Sequence, residues 1–205
     1  MDEMVNFDEK SKVINRDVFN EWFREEMTRY SEEKEASHIP TMSIISTKGT
    51  LDWGYPPFIL ASTAAAMGWD VSVFFSFYGL DLLKKDLNLE ISPLGNPAMP
   101  MKMPFGPEWF KQMDWNIPNI VSSNIPGFDS FATMMMEKTL ENKGVASIEE
   151  LRELSIEADV KFIACQMTVD LFGYKKEDFI SEIHDWIGAA SFLPVAAKSD
   201  ITLYV

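Results

Sequence analysis

Strand-like apolar runs that alternate with helical stretches predict an α/β fold with a mostly parallel sheet covered on both faces. Three observations carry this. Met42–Ser46, Val71–Phe77, Val160–Ala164 and Ile201–Val205 are short, rich in β-branched or aromatic residues, and bounded by turn signals. The segments between them have helical spacing and helix-end signals. At 205 residues the chain suits one domain with an extension, large enough to bury a good core.

The elements follow in order. Residues 1–38 are expected to form an acidic extension, with 11 Asp or Glu against 6 Lys or Arg. Within it Val18, Phe19, Trp22, Phe23, Met27 and Tyr30 recur at the spacing of an amphipathic helix, with Asp17 as N-cap and Ser31–Glu35 as a solvated connector. The α/β domain is expected over residues 41–205. Its first strand ends at Ser46, and residues 47–52 form a loop. Pro56–Pro57 open a helix, because proline is tolerated in a first turn, and Gly68 ends it. After the strand Val71–Phe77, a short helix is expected near residues 80–85.

Residues 92–127 hold seven prolines and several methionines, a pattern that excludes a long helix and suggests a covering loop over a site or an interface. A satellite core packed under the loop is the other reading. A helix is expected over 129–142. Ser147 and Glu150 then form a capping box for the next one. Further helices are expected over 175–186 and 189–197.

Composition narrows the function. The net charge of −14 repels a phosphate backbone, so nucleic acid is not an expected partner. The apolar stretch 56–80 is interrupted by Asp70 and reads as two elements, so no membrane span is expected. The N-terminus has no apolar signal region and the single cysteine allows no internal disulfide, which together suggest a cytoplasmic protein. His38 and His184 lie far apart and no zinc-type spacing occurs, so no metal is expected. With no Gly-x-Gly-x-x-Gly and no P-loop, no cofactor is expected either.

The chemistry centres on that cysteine. Cys165 closes the strand Val160–Ala164 and opens a helix that ends at Gly173. A thiol there faces unpaired N–H groups that stabilise a thiolate. Position alone leaves two roles open, a reactive thiol and a buried hydrophobe. In a parallel sheet the loops at 47–52, 78–81 and 165–166 gather at the carboxyl edge, which makes Lys48 a candidate cation for the thiolate or a solvated loop lysine. Tyr78–Gly79 either shapes the floor of a pocket or simply turns the chain.

Three motifs resemble the DsrE/DsrF/DsrH-like proteins, and within them the DsrE2-type branch. These are Ser46–Asp52 with Tyr55-Pro56-Pro57, Phe74–Leu80, and Ala164–Asp170 preceded by Gly144–Ser147. The spacer Pro93–Met101 is similar as well, and the resemblance covers residues 41–205. The segment 104–126 is longer and more aromatic than the family's usual spacer, and the acidic extension has no family counterpart. The resemblance implies a three-layer α/β/α domain, homo-oligomers, and sulfur transfer on a cysteine, which here is Cys165. Lys48, Gly49, Tyr78, Gly79 and Gln166 are the expected substrate-binding set. With no second cysteine to resolve a persulfide, the expected partners are a sulfur donor and an acceptor protein bearing a thiol. The chain then acts as a sulfur carrier or sulfurtransferase and not as a two-cysteine peroxidase. A small-anion or cofactor-binding module, or a structural subunit with an inert cysteine, is the alternative.

Overall fold

The computed structural model describes residues 16–92, 102–115, 117–118, 120 and 124–205. The chain divides into two units, Met1–Ile39 and Pro40–Val205. In the first, helix α1 runs Arg16–Ser37 and none of its residues is buried. It continues through Ser31–Glu35, where a connector was expected. Glu and Lys are good helix formers, and Arg29 pairs with Glu26 and Glu33 across one turn. Asp17 lies inside the first turn rather than at the cap.

The second unit is built on five parallel strands: β1 Thr41–Ser46, β2 Asp70–Phe75, β3 Lys161–Cys165, β4 Ile183–Ile187 and β5 Ile201–Tyr204. Their order is β4-β3-β2-β1-β5, and every pairing is parallel. Helices cover both faces, giving a three-layer α/β/α fold. On one face lie α2 (Leu51–Ala66), α4 (Phe128–Asn142) and α5 (Ile148–Glu157), after the single turn α3 (Glu108–Lys111). The core there is aromatic. Phe58 of α2 meets Phe75 and Phe162 of the central strands at 5.9 and 5.8 Å between ring centroids, and all three are fully buried. Each such ring contributes roughly 1.5–3 kcal/mol by leaving water.

The opposite face carries α7 (Ala189–Ala196), whose Phe192 stacks on Phe74 at 4.5 Å. Phe74, Ile163, Cys165, Phe192 and Ala196 form the buried cluster of that face. Alternation along β3 decides this division. Phe162 and Ala164 belong to the α2 side, and Ile163 and Cys165 to the α7 side.

Several boundaries differ from expectation. Helix α2 begins at Leu51, so Pro56 and Pro57 sit in its second turn, without N–H groups for the carbonyls four residues back. Met67 is its C-cap and Gly68 follows at φ +84°, as expected. Strand β2 stops at Phe75, and Phe77–Leu83 forms a 3-10 helix. The capping box is present, with Ser147 N donating to Glu150 at 2.8 Å and Glu150 N to the Ser147 hydroxyl at 3.2 Å.

The helix expected over 175–186 is replaced by a short 3-10 turn, Lys176–Asp178, and then by β4. The apolar positions 179, 180, 183 and 187 fit a helical period, but Ile183 and Ile187 pair with Phe162 and Cys165 of β3. Sheet pairing overrides the local pattern there. Much of the expected covering loop, residues 93–101, 116, 119 and 121–123, lies outside the described residues.

Candidate functional site

The sheet order makes β1, β2 and β3 neighbours, so their carboxyl ends and the loops that follow share one rim. Two glycines hold the first two loops together. A Cβ on Gly79 would lie 2.4 Å from the Ser46 carbonyl oxygen, and one on Gly49 would lie 2.0 Å from that of Tyr78. Only glycine permits these approaches. Ser76 N donates to the Ser46 carbonyl at 2.9 Å, and Gly79 N donates to the Ser76 carbonyl at 3.0 Å.

Cys165 is the last residue of β3 and the N-cap of α6 (Gln166–Phe172). Its side chain is 1% exposed. Burial pushes the thiol up. Hydrogen bonds from the Thr168 and Ser76 hydroxyls, then from the Thr168 and Met167 N–H groups, outweigh it and bring the pKa below that of an ordinary thiol. The sulfur forms no full side-chain cap on the helix, so the two hydroxyls lead the N–H groups in this effect.

The hydroxyls are themselves held in place. Thr168 is fully buried, and its Oγ1 lies 3.3 Å from Ser76 Oγ. Phe77 N donates to Thr168 Oγ1 at 3.3 Å. That bond occupies a lone pair of the threonine oxygen and leaves its one proton for the Ser76 oxygen or the sulfur. Phe77 has φ +48°, a left-handed conformation costly for an aromatic residue. The strain lies in the residue that orients the thiol's strongest partner.

The expected binding residues divide around this centre. Gly49, Tyr78 and Gly79 come together at the clamped rim. The Tyr78 ring stacks on Phe172 at 5.8 Å. Lys48 places its Nζ 3.0 Å from the centroid of the Trp53 ring, and it is not among the groups that shift Cys165. Gln166 donates to Asp170 Oδ1 at 2.8 Å along its own helix.

Sequence reasoning missed Ser76, Phe77 and Thr168. The i+3 spacing from Cys165 to Thr168 was a usable signal, because it places the hydroxyl one turn above the N-cap. Ser76 could be found only from the strand order.

A cleft of about 440 Å³ adjoins the buried cluster that holds the thiol, lined by Ile45, Phe74, Ser76 and Phe77 and by Tyr78, Phe192, Leu193 and Tyr204 with two smaller residues. Ser76 both lines this cleft and hydrogen-bonds Cys165. Among the described residues there is no group of three His, Cys, Asp or Glu able to hold a metal, and no helix long and apolar enough to cross a membrane.

Sulfur carrier protein DsrE2 of Allochromatium vinosum is 56% identical over 164 residues, covering 80% of this chain and 97% of that protein. An uncharacterized protein of Bacillus subtilis, YrkE, is 25% identical over 163 residues, covering 80% of this chain and 95% of its own length. The sequence pattern of the DsrE/DsrF/DrsH-like family matches residues 38–204, the whole sheet and its helices, and the chain belongs to that family.

Proposed function

We propose that this protein is a sulfur carrier that accepts sulfane sulfur on Cys165, as a persulfide or thiosulfonate, and passes it to a thiol on a partner protein. The observation that carries the reading is a buried thiol whose pKa lies below the ordinary value because two fixed hydroxyls favour its anion. The thiolate is the nucleophile in such exchange. The name of the Allochromatium relative supports the same role.

The lone cysteine limits the chemistry. Sulfur taken up here leaves by attack of an external thiolate, so donor and acceptor are separate molecules. A cytoplasmic location and a homo-oligomeric state belong to the same proposal.

A second reading, an inert cysteine in a structural or anion-binding subunit, is favoured by one observation, the 1% exposure of Cys165. Intact mass after incubation with thiosulfate, tetrathionate or polysulfide separates the two. A dithiol-reversible adduct on the wild type that is absent from Cys165→Ala is the expected result. No adduct with any donor, together with resistance to alkylation, would establish the inert reading.

A further inference from the structure

The cleft beside Cys165 bears on which donor can deliver sulfur. Among the described residues, the ten that line it include no Lys, Arg, His, Asp or Glu. Its polar groups are hydroxyls, those of Thr47, Ser76, Tyr78 and Tyr204, and the Thr47 and Tyr204 oxygens lie 3.1 Å from each other. Phe74 and Phe192 line the cleft and belong to the buried cluster that holds Cys165, which is not itself in the lining. Ser76 is the polar contact between the cleft and the sulfur. Lys48, the cation nearest to this rim along the chain, is held over the Trp53 ring and is not part of the lining.

A sulfonate-ended donor such as tetrathionate carries two negative charges. To reach Cys165 through this cleft it must leave water without a countercharge, toward a sulfur that itself reacts as an anion. Desolvating an unpaired anion is costly, and the chain's net charge of −14 adds repulsion at long range. An uncharged sulfur chain meets neither penalty, and aromatic walls favour it.

Resting on the carrier reading above, we infer that the cleft admits uncharged sulfane sulfur, of the organic polysulfide class R–S–S–S–R, in preference to sulfonate-ended anions. The thiolate of Cys165 attacks the central sulfur of the trisulfide. A Sγ–S bond forms as one donor S–S bond breaks, and its electron pair leaves with R–S⁻, which takes a proton from solvent. Cys165 then holds a mixed trisulfide. An acceptor thiolate attacks the same central sulfur, breaks the Sγ–S bond and returns Cys165 to its thiolate. No external oxidant or reductant enters either step.

The test is a rate comparison on the full chain, using dimethyl trisulfide and sodium tetrathionate at equal ionic strength. Adduct formation is followed by intact mass, and each rate is divided by that of free glutathione with the same reagent. The expected result is a normalised rate about tenfold or more higher for the trisulfide, within the range that local electrostatics produces. Leu193 is 58% exposed on the cleft wall, so Leu193→Lys places a cation there with the fold retained, checked by circular dichroism. It is expected to move the ratio about tenfold toward tetrathionate. A wild-type preference for tetrathionate, or a ratio that Leu193→Lys leaves unmoved, overturns the inference while the carrier reading stands. No adduct from either reagent overturns both.

Discussion

At the residue scale, the proposed sulfur chemistry rests on what surrounds Cys165. Thr168 accepts the Phe77 N–H, and its hydroxyl lowers the pKa of Cys165. Iodoacetamide alkylation of the folded protein followed against pH is expected to show a midpoint below the ordinary thiol range. Thr168→Val keeps the side chain's shape and removes the hydroxyl. The midpoint should rise toward the ordinary value or beyond it, because burial then acts with less opposition. The variant should also lose about 1–3 kcal/mol in urea unfolding, since the Phe77 N–H loses its acceptor.

Linkage has a definite sign here. The folded state holds the thiol's pKa below its unfolded value, so the anion binds its proton less tightly when folded. The resulting stability is fully present above the unfolded thiol pKa. It is lost as pH falls through the folded pKa. Urea midpoints measured across that window should climb with pH in the wild type and climb less in Thr168→Val.

Gly79 yields a prediction of a different kind. The Cβ of Gly79→Ala would stand 2.4 Å from a backbone oxygen that cannot swing away, so the β1 and β2 loops must separate. A loss of about 2–3 kcal/mol is expected by urea unfolding. Slower sulfur uptake should accompany it, because Ser76 moves with the loop.

At the element scale, the site is braced from below by α5. Arg152 is 8% exposed and donates to the carbonyls of Leu82 at 3.2 Å and Lys84 at 2.7 Å, at the end of the 3-10 helix Phe77–Leu83. Burial lowers its pKa, and Glu149, Glu153 and Glu182 oppose that. Arg152→Leu leaves two carbonyls without their donor and is expected to cost about 2–4 kcal/mol, measured by urea unfolding. Ser147→Ala, which removes half of the capping box at the start of the same helix, should cost about 1 kcal/mol.

The elements also show what could be read in advance. The capping box, the Gly68 turn and the strand that ends at Cys165 were legible because each depends on neighbours within a few residues. Strand β4 was not. Phe179, Ile180, Ile183 and Ile187 carry a helical period, and only the edge of β3 selects the extended form. The site was legible to the same limit. Cys165 and the Gly49, Tyr78 and Gly79 cluster could be named from motifs. Ser76 reaches the thiol across 89 residues of chain, which no local pattern reports. Lys48 was placed near the thiolate because its loop and Cys165 share the carboxyl edge of the sheet, and its Nζ lies over the Trp53 ring, five residues away.

At the scale of the whole molecule, the thiol and its partners are contained in one of the two units. Cys165, Ser76, Met167 and Thr168 all lie between Pro40 and Val205. Removal of residues 1–39 is therefore expected to leave the alkylation midpoint unchanged, measured by the same pH series. A shifted midpoint would assign the extension a part in the thiol's chemistry.

The strand order has a consequence for how the chain reaches this state. β1 and β2 are joined by a single helix, and β3 and β4 by a short connection, so each pair closes over a modest length of chain. β5 must return to the far side of β1. There Asp200 accepts the backbone N–H and the hydroxyl of Thr41 at 2.8 Å each, across 159 residues of sequence. With so large a sequence separation, this contact is expected to form after the others in folding. Asp200→Ala should therefore speed unfolding and barely slow folding in a chevron measurement. On that expectation the final strand is a latch on a sheet already assembled, governing how long the native state persists more than how quickly it forms.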